Sequence, residues 1–249
     1  MVKIAVFDSG LGSLSVIRPI QKKIKSEIIY FADQKNYPYG TKSSTHLNKI
    51  IKSTISKLEK SFSPDVIVIG SNTPTLLLGI KNQKIVGILP PLKDAVKKTK
   101  TKSIAILATR SVVKSKKLQQ YVQKNVPKYI QVTKINASPL VDLVESGKFL
   151  SRKKQTMMTI KNILHDIDKN KVDVITLSST HLPFLLPLLK QSFSSMIFLD
   201  PADSVATSIA KKVSNKKSKP SLKIYASGDV TAFQDKLRKI GIKNRVLPL

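Results

Sequence analysis

The stretch Asp65-Val66-Ile67-Val68-Ile69-Gly70-Ser71-Asn72-Thr73-Pro74-Thr75-Leu76-Leu77-Leu78 decides the fold. A short aliphatic run meets a break of small polar residues and passes into a second apolar run, the pattern of a buried strand that empties into a helix. The same plan returns in Asp173-Val174-Ile175-Thr176-Leu177-Ser178-Ser179-Thr180-His181-Leu182-Pro183-Phe184-Leu185-Leu186, again behind a leading Asp. Lys3-Ile4-Ala5-Val6-Phe7-Asp8-Ser9 and Ser103-Ile104-Ala105-Ile106-Leu107-Ala108-Thr109 make a second matching pair. The chain therefore reads as α/β, with two similar domains built on parallel sheets. Ser71, Asn72 and Thr73 of one half, and Ser179, Thr180 and His181 of the other, fall at the carboxyl end of a strand, where ligands of such sheets bind. Two such halves facing each other would bring both polar turns to one cleft.

With 249 residues the chain can form one large or two small domains, and 41% hydrophobic residues are enough for their cores. No apolar run reaches membrane-spanning length and the first residues read as a strand, so the expectation is a cytoplasmic protein without a membrane partner. The absence of cysteine removes disulfides, thiolate metal ligands and thiol chemistry together, and three histidines speak against a structural zinc site. Charge is the unusual property: 44 Lys and Arg against 15 Asp and Glu give a net +29, with a pI of about 10.2. Such a balance attracts nucleic acid and other polyanions. Yet only five of the cations are arginine, and the lysines are dispersed, densest at 97–102, 114–117 and 211–219. Arginine is the residue of bidentate and stacked contacts, so its scarcity favours ordinary solvated faces over base-specific reading.

Along the chain, a strand at 2–7 closes on Asp8-Ser9-Gly10-Leu11-Gly12-Ser13 ahead of a helix at 14–25. A glycine-bearing turn before a helix can hold an anion, and Asp8 directs the choice towards a ligand that carries an amino group as well as an acid. Asp8 and Ser9 as plain helix caps is the alternative. After a strand at 27–32, Tyr37-Pro38-Tyr39-Gly40-Thr41 is turn chemistry that also fits a rigid ligand wall. Helical spacing over 43–62 assigns Ile50, Ile51, Ile55 and Leu58 to the core. Gly147 ends a short helix carrying Glu145, which reads as a solvent residue able to reach a cleft. The charged stretches at 97–102 and 211–221 are the expected crossings, giving domains of 1–97 plus 214–249 and 98–213.

Phe7-Asp8-Ser9-Gly10, Tyr37-Pro38-Tyr39-Gly40-Thr41, Gly70-Ser71-Asn72-Thr73 and Ser179-Thr180-His181 with Pro183 together resemble the cofactor-independent glutamate racemases of the aspartate/glutamate racemase superfamily. Each motif is weak alone, but four in order across nearly the whole chain are specific. The resemblance implies a pseudo-symmetric pair of α/β domains, an active-site cleft between them and a final segment that returns to the first domain. It implies glutamate or a close acidic amino acid as ligand, no metal, pyridoxal phosphate or nucleotide, and a homodimer as the ordinary assembly. The matching substrate positions are Asp8, Ser9, Tyr39, Gly40, Asn72, Thr73, Thr180 and His181.

The departure lies at the chemistry. The racemases use two cysteines, one on each face of the α-carbon, and the matching positions here are Ser71 and Ser179. A cysteine with pKa of about 8.5 is a few per cent thiolate at neutral pH, whereas a serine hydroxyl is a far weaker acid. Four readings stay open: an acidic-amino-acid binder whose two-base racemisation is lost or much weakened; a slower reaction in which His181, Asp8 or Glu145 assists Ser179 or Ser71; a cysteine-free engineered form; and a polyanion (RNA or DNA) binder using the Lys-rich surface of a racemase scaffold.

Overall fold

A computed structural model describes residues 2–80, 82–167, 171–213 and 219–249. In chain order, β1 (Lys3–Asp8), α1 (Ile17–Lys23), β2 (Glu27–Ala32), α2 (Ser44–Phe62), β3 (Val66–Ile69), α3 (Asn72–Leu78) and β4 (Ile85–Gly87) come first. They are followed by α4 (Leu92–Lys98), β5 (Ser103–Ala108), α5 (Arg110–Val113), α6 (Lys116–Asn125), β6 (Gln131–Asn136), α7 (Ser138–Glu145), α8 (Lys148–Ser151), α9 (Lys153–Ile163), β7 (Val174–Leu177), α10 (Leu186–Ser192) and β8 (Ile197–Leu199). The chain closes with α11 (Ala202–Ala210), β9 (Ser221–Ala226), α12 (Val230–Lys239) and β10 (Val246–Pro248). These elements form two compact units, 1–88 with 202–249 and 89–201.

The first unit holds a parallel sheet of order β10-β9-β2-β1-β3-β4. β2 and β3 are buried along their whole length and β1 along all but Lys3, as parallel strands covered on both faces must be. On one face Ala5, Phe7, Phe31, Ile67 and Ile69 meet Leu47, Ile50, Ile51 and Leu58 of α2, with Ile55 packed at the margin. The spacing read from the sequence is thus the stripe that faces the sheet. The final segment returns to this unit because β9 pairs with β2 over six residues, Glu27 opposite Ser221 through Ala32 opposite Ala226. There Lys223 Nζ reaches the buried Glu27 carboxylate at 2.6 Å.

The second unit has a parallel sheet of order β6-β5-β7-β8. Its register repeats that of the first. Ala5 pairs with Ile67 and Phe7 with Ile69; Ala105 pairs with Ile175 and Leu107 with Leu177. The leading aspartates also do the same work. Asp65 Oδ2 accepts the Lys3 N–H at 2.8 Å, at the start of the central strand. Asp173 accepts from Thr99 Oγ1 at 2.6 Å, Lys100 N–H at 2.6 Å and Thr101 N–H at 3.1 Å, in the turn that feeds β5.

The units divide at Ile88/Leu89 and Pro201/Ala202, where the sequence suggested crossings at 97/98 and 213/214. Packing accounts for the difference. Residues 92–98 form α4, which lies against β7 of the second unit, and α11 lies against α1 of the first. Part of the second charged stretch, 214–218, is outside the described residues.

Asp173 titrates below the ordinary carboxylate range: partial burial pushes it up, but the bonds from Thr99, Lys100 and Thr101 outweigh that. A carboxylate depressed in the folded state contributes stability above its unfolded pKa and loses it as pH falls through the folded value. Asp173→Ala is therefore expected to destabilise the second unit by on the order of 1 kcal/mol at neutral pH, a modest figure because the site is largely solvated. Thermal melts should show the gap to the parent closing on acidification below the folded-state pKa; a gap that stays constant would refute the role of the charge.

Candidate active site

In the first unit the strand ends gather most of the residues singled out from sequence. Asp8 ends β1 and is 2% exposed; its Oδ1 accepts the Ser9 N–H at 2.7 Å. Ser71, Asn72 and Thr73 leave β3 and open α3, which touches the turn carrying Tyr39 and Gly40. Gly70 is required by close approach, since a Cβ there would strike the Ser13 side chain and sit 2.8 Å from Phe7 O. Asn72 is 3% exposed, and neither its Oδ1 nor its Nδ2 has a hydrogen-bond partner among the described residues. A buried amide in that state costs on the order of 1–3 kcal/mol per unmet group.

Behind Tyr39 stands Asp33, a residue that no sequence motif marks. Asp33 follows β2, is 3% exposed, and its backbone N–H donates to Asp8 O at 2.7 Å. Its carboxylate accepts from Tyr39 OH at 3.0 Å, from Asn36 Nδ2 at 2.9 Å to each oxygen, and from Ser227 Oγ at 3.2 Å, with Thr54 Oγ1 at 3.4 Å. The anion is thus held by neutral donors drawn from its own turn, from α2 and from the returning terminal segment. The Tyr39 phenol is pushed well above its usual value by burial first, then by the charges of Asp33 and Asp8. The edge that carries Asp8, Asp33 and Tyr39 is therefore electronegative, suited to an ammonium group.

In the second unit Ser178, Ser179, Thr180 and His181 follow β7 and are all buried. The Ser178 hydroxyl lies 3.0 Å from Thr176 Oγ1. His181 Nε2 lies 2.9 Å from Glu145 Oε2, with both side chains under 10% exposed. With the carboxylate ionised the ring donates from Nε2, which fixes its orientation. Glu145 is thus a buried partner of His181, not the solvent residue its position near a helix end suggested. The helix that carries it stops at Gly147 with φ of 72°, the left-handed conformation glycine adopts most readily. Among the described residues no group of three or more His, Asp or Glu side chains is arranged to hold a metal ion.

The strand-end turn after Asp33 carries the one signal that would have exposed it: Asp33 and Asn36 three residues apart, where a side chain can return to its own turn. Glu145 had none, because its contact with His181 spans 36 residues.

No protein-family model matches the chain. It is 31% identical to the glutamate racemase of Buchnera aphidicola over 231 residues, 87% of each chain. Its fold superposes on the glutamate racemase isoform RacE1 of Bacillus anthracis with a TM-score of 0.87 at 22% identity, covering 100% of this chain and 97% of that one. It superposes on the Escherichia coli glutamate racemase, solved with L-glutamate and an activator, with a TM-score of 0.85 at 22% identity, covering 100% and 98%. By sequence over most of its length, and by the parallel sheets of its two units, the chain belongs to the glutamate racemase family.

Proposed function

We propose that the protein binds glutamate or a close acidic amino acid, and that its two-base racemisation is lost or much weakened because Ser71 and Ser179 stand at the positions of the family's cysteines. The observation that carries the binding is Asn72: a buried amide at the strand edge, with donor and acceptor both unmatched among the described residues. An amino acid supplies both complements, a carboxylate for Nδ2 and an ammonium for Oδ1. Asp8 and Ser9 take the amino end, and the electronegative edge around Tyr39 favours that placement. Thr73 and Thr180 join Asn72 as donors to the carboxylates, and Gly40 and His181 complete the binding set. The glutamate bound by the Escherichia coli relative supports the ligand class.

The serines bear on the reaction. A base must be present in its deprotonated form, and a hydroxyl without a strong neighbouring base almost never is. His181 is the nearest candidate in sequence to assist Ser179, but its Nε2 is engaged by Glu145, which suits it to orienting ligand or neighbour.

Calorimetry is expected to show saturable binding of glutamate, with Asn72→Ala weakening it about tenfold. Absence of heat with both glutamate and aspartate would remove the ligand assignment. Following solvent deuterium into the α-position separates binding from turnover. The parent should exchange no faster than a Ser71→Ala, Ser179→Ala double variant, while Ser71→Cys with Ser179→Cys should raise exchange by about two orders of magnitude or more. If that cysteine pair stays inactive in a folded protein that still binds glutamate, Ser71 and Ser179 are not the base positions.

A further inference from the structure

Two of the five arginines of this chain lie together: Arg238 and Arg245 are seven residues apart in sequence and line the same groove. That groove, of about 470 Å³, runs between α12 and β10 of the first unit and is also lined by Lys243, Thr231, Gln234 and Asp235. Its floor is pinned. Gln234 donates from Nε2 to Asn244 O at 2.9 Å and accepts the Val246 N–H on Oε1 at 2.8 Å. Asn244 turns its own amide to Leu222 O at 2.8 Å. With Asn244 so engaged, its neighbours Lys243 and Arg245 are the residues left to the groove, on a segment held by two hydrogen bonds to its backbone and one from the Asn244 side chain.

Three cations therefore share the groove with one acid, Asp235, which pairs with Arg238 Nη1 at 3.3 Å across a helical turn. Basic residues in the last turn of a helix offset its dipole, and that explains Arg238. It does not explain Lys243 and Arg245, which lie beyond the last helical residue, Lys239. Nor does the general lysine coat explain arginine at two of these three positions. The guanidinium fork matches the paired oxygens of a phosphate, and arginine is the cation chosen where bidentate geometry matters. The groove lies at the outer edge of the sheet, three strands from β1, and uses none of the residues assigned to amino-acid binding.

We propose that the groove formed by Arg238, Lys243 and Arg245 is a binding site for a phosphate-bearing small molecule such as a nucleotide or diphosphate. Its size is that of a small-ligand site, and Thr231 supplies a hydroxyl beside the cations. The site does not depend on the glutamate assignment.

The test is pyrophosphate titration of the full chain by calorimetry. The parent should bind saturably up to the millimolar range, and the triple variant Arg238→Gln, Lys243→Gln, Arg245→Gln should bind about tenfold or more weakly. A charge-matched control, Lys114→Gln, Lys116→Gln, Lys117→Gln, should lose less than about twofold. Asp235→Asn, which removes the one opposing charge, should tighten binding. Glutamate affinity should be the same in the parent and the groove variant. The exposed single change Arg245→Gln, expected to cost about threefold, keeps the result readable if the triple variant fails to fold. Absence of saturable pyrophosphate binding, or equal losses from the groove and control triples, overturns the proposal. So does a thymidine oligonucleotide that binds when pyrophosphate does not and loses affinity equally in both triples, since the charge then serves a general polyanion surface.

Discussion

In each unit one backbone hydrogen bond fixes where the polar turn begins. Gly70 N–H donates to Phe7 O at 2.7 Å, and Ser178 N–H donates to Leu107 O at 2.8 Å. Each is the last bond of a parallel ladder and comes one residue after the flanking strand ends. Because the residues below it are fully buried, a slip of one position would repack both faces of the strand and draw a polar turn residue into the ladder. Ser71 and Ser179 thus leave their sheets at the same point relative to a central strand.

The hydrophobic pattern carried this much of the fold in plain view. Strands buried on both faces read as continuous aliphatic runs, so β1, β3, β5 and β7 and the repeat between them were legible in the sequence. So was α2, through the spacing of Ile50, Ile51 and Leu58. What pattern cannot carry is a contact between polar groups distant in sequence. Glu145 meets His181 across 36 residues and Asp33 meets Ser227 across 194. Both acids sit in loops or helix ends that composition assigns to solvent. The compact units divide ahead of the charged stretch at 97–102 for a related reason: charge marks that stretch, while Leu92 and Ala95 of the helix before it are buried by packing that charge does not reveal.

Asp33 illustrates how a buried carboxylate is held by neutral donors. Removing a carboxylate from water costs several kcal/mol, and bonds to ionised acceptors are among the stronger ones that can offset it. Here hydroxyl and amide donors from three parts of the first unit converge on one anion, and each of those parts is held in place by doing so. The arrangement ties the Tyr39 turn to α2 and to the segment after β9. The Asp33 charge adds to burial, the larger cause, in making the neighbouring Tyr39 phenol resist ionisation.

That charge bears on the exchange of sulfur for oxygen. Burial first, and then the charges of Asp33 and Asp8, push the Tyr39 phenol up, and Ser71 leaves β3 beside the strand that ends in Asp8. A negative edge lowers the free energy of a bound ammonium and raises that of any anion formed on a nearby hydroxyl. A thiol begins close enough to neutrality to tolerate such a penalty and still supply some thiolate. A hydroxyl begins many pKa units further away, so the same field moves an already scarce base further out of reach. The field that would favour an ammonium group at this edge therefore works against forming an anion on a serine hydroxyl beside it.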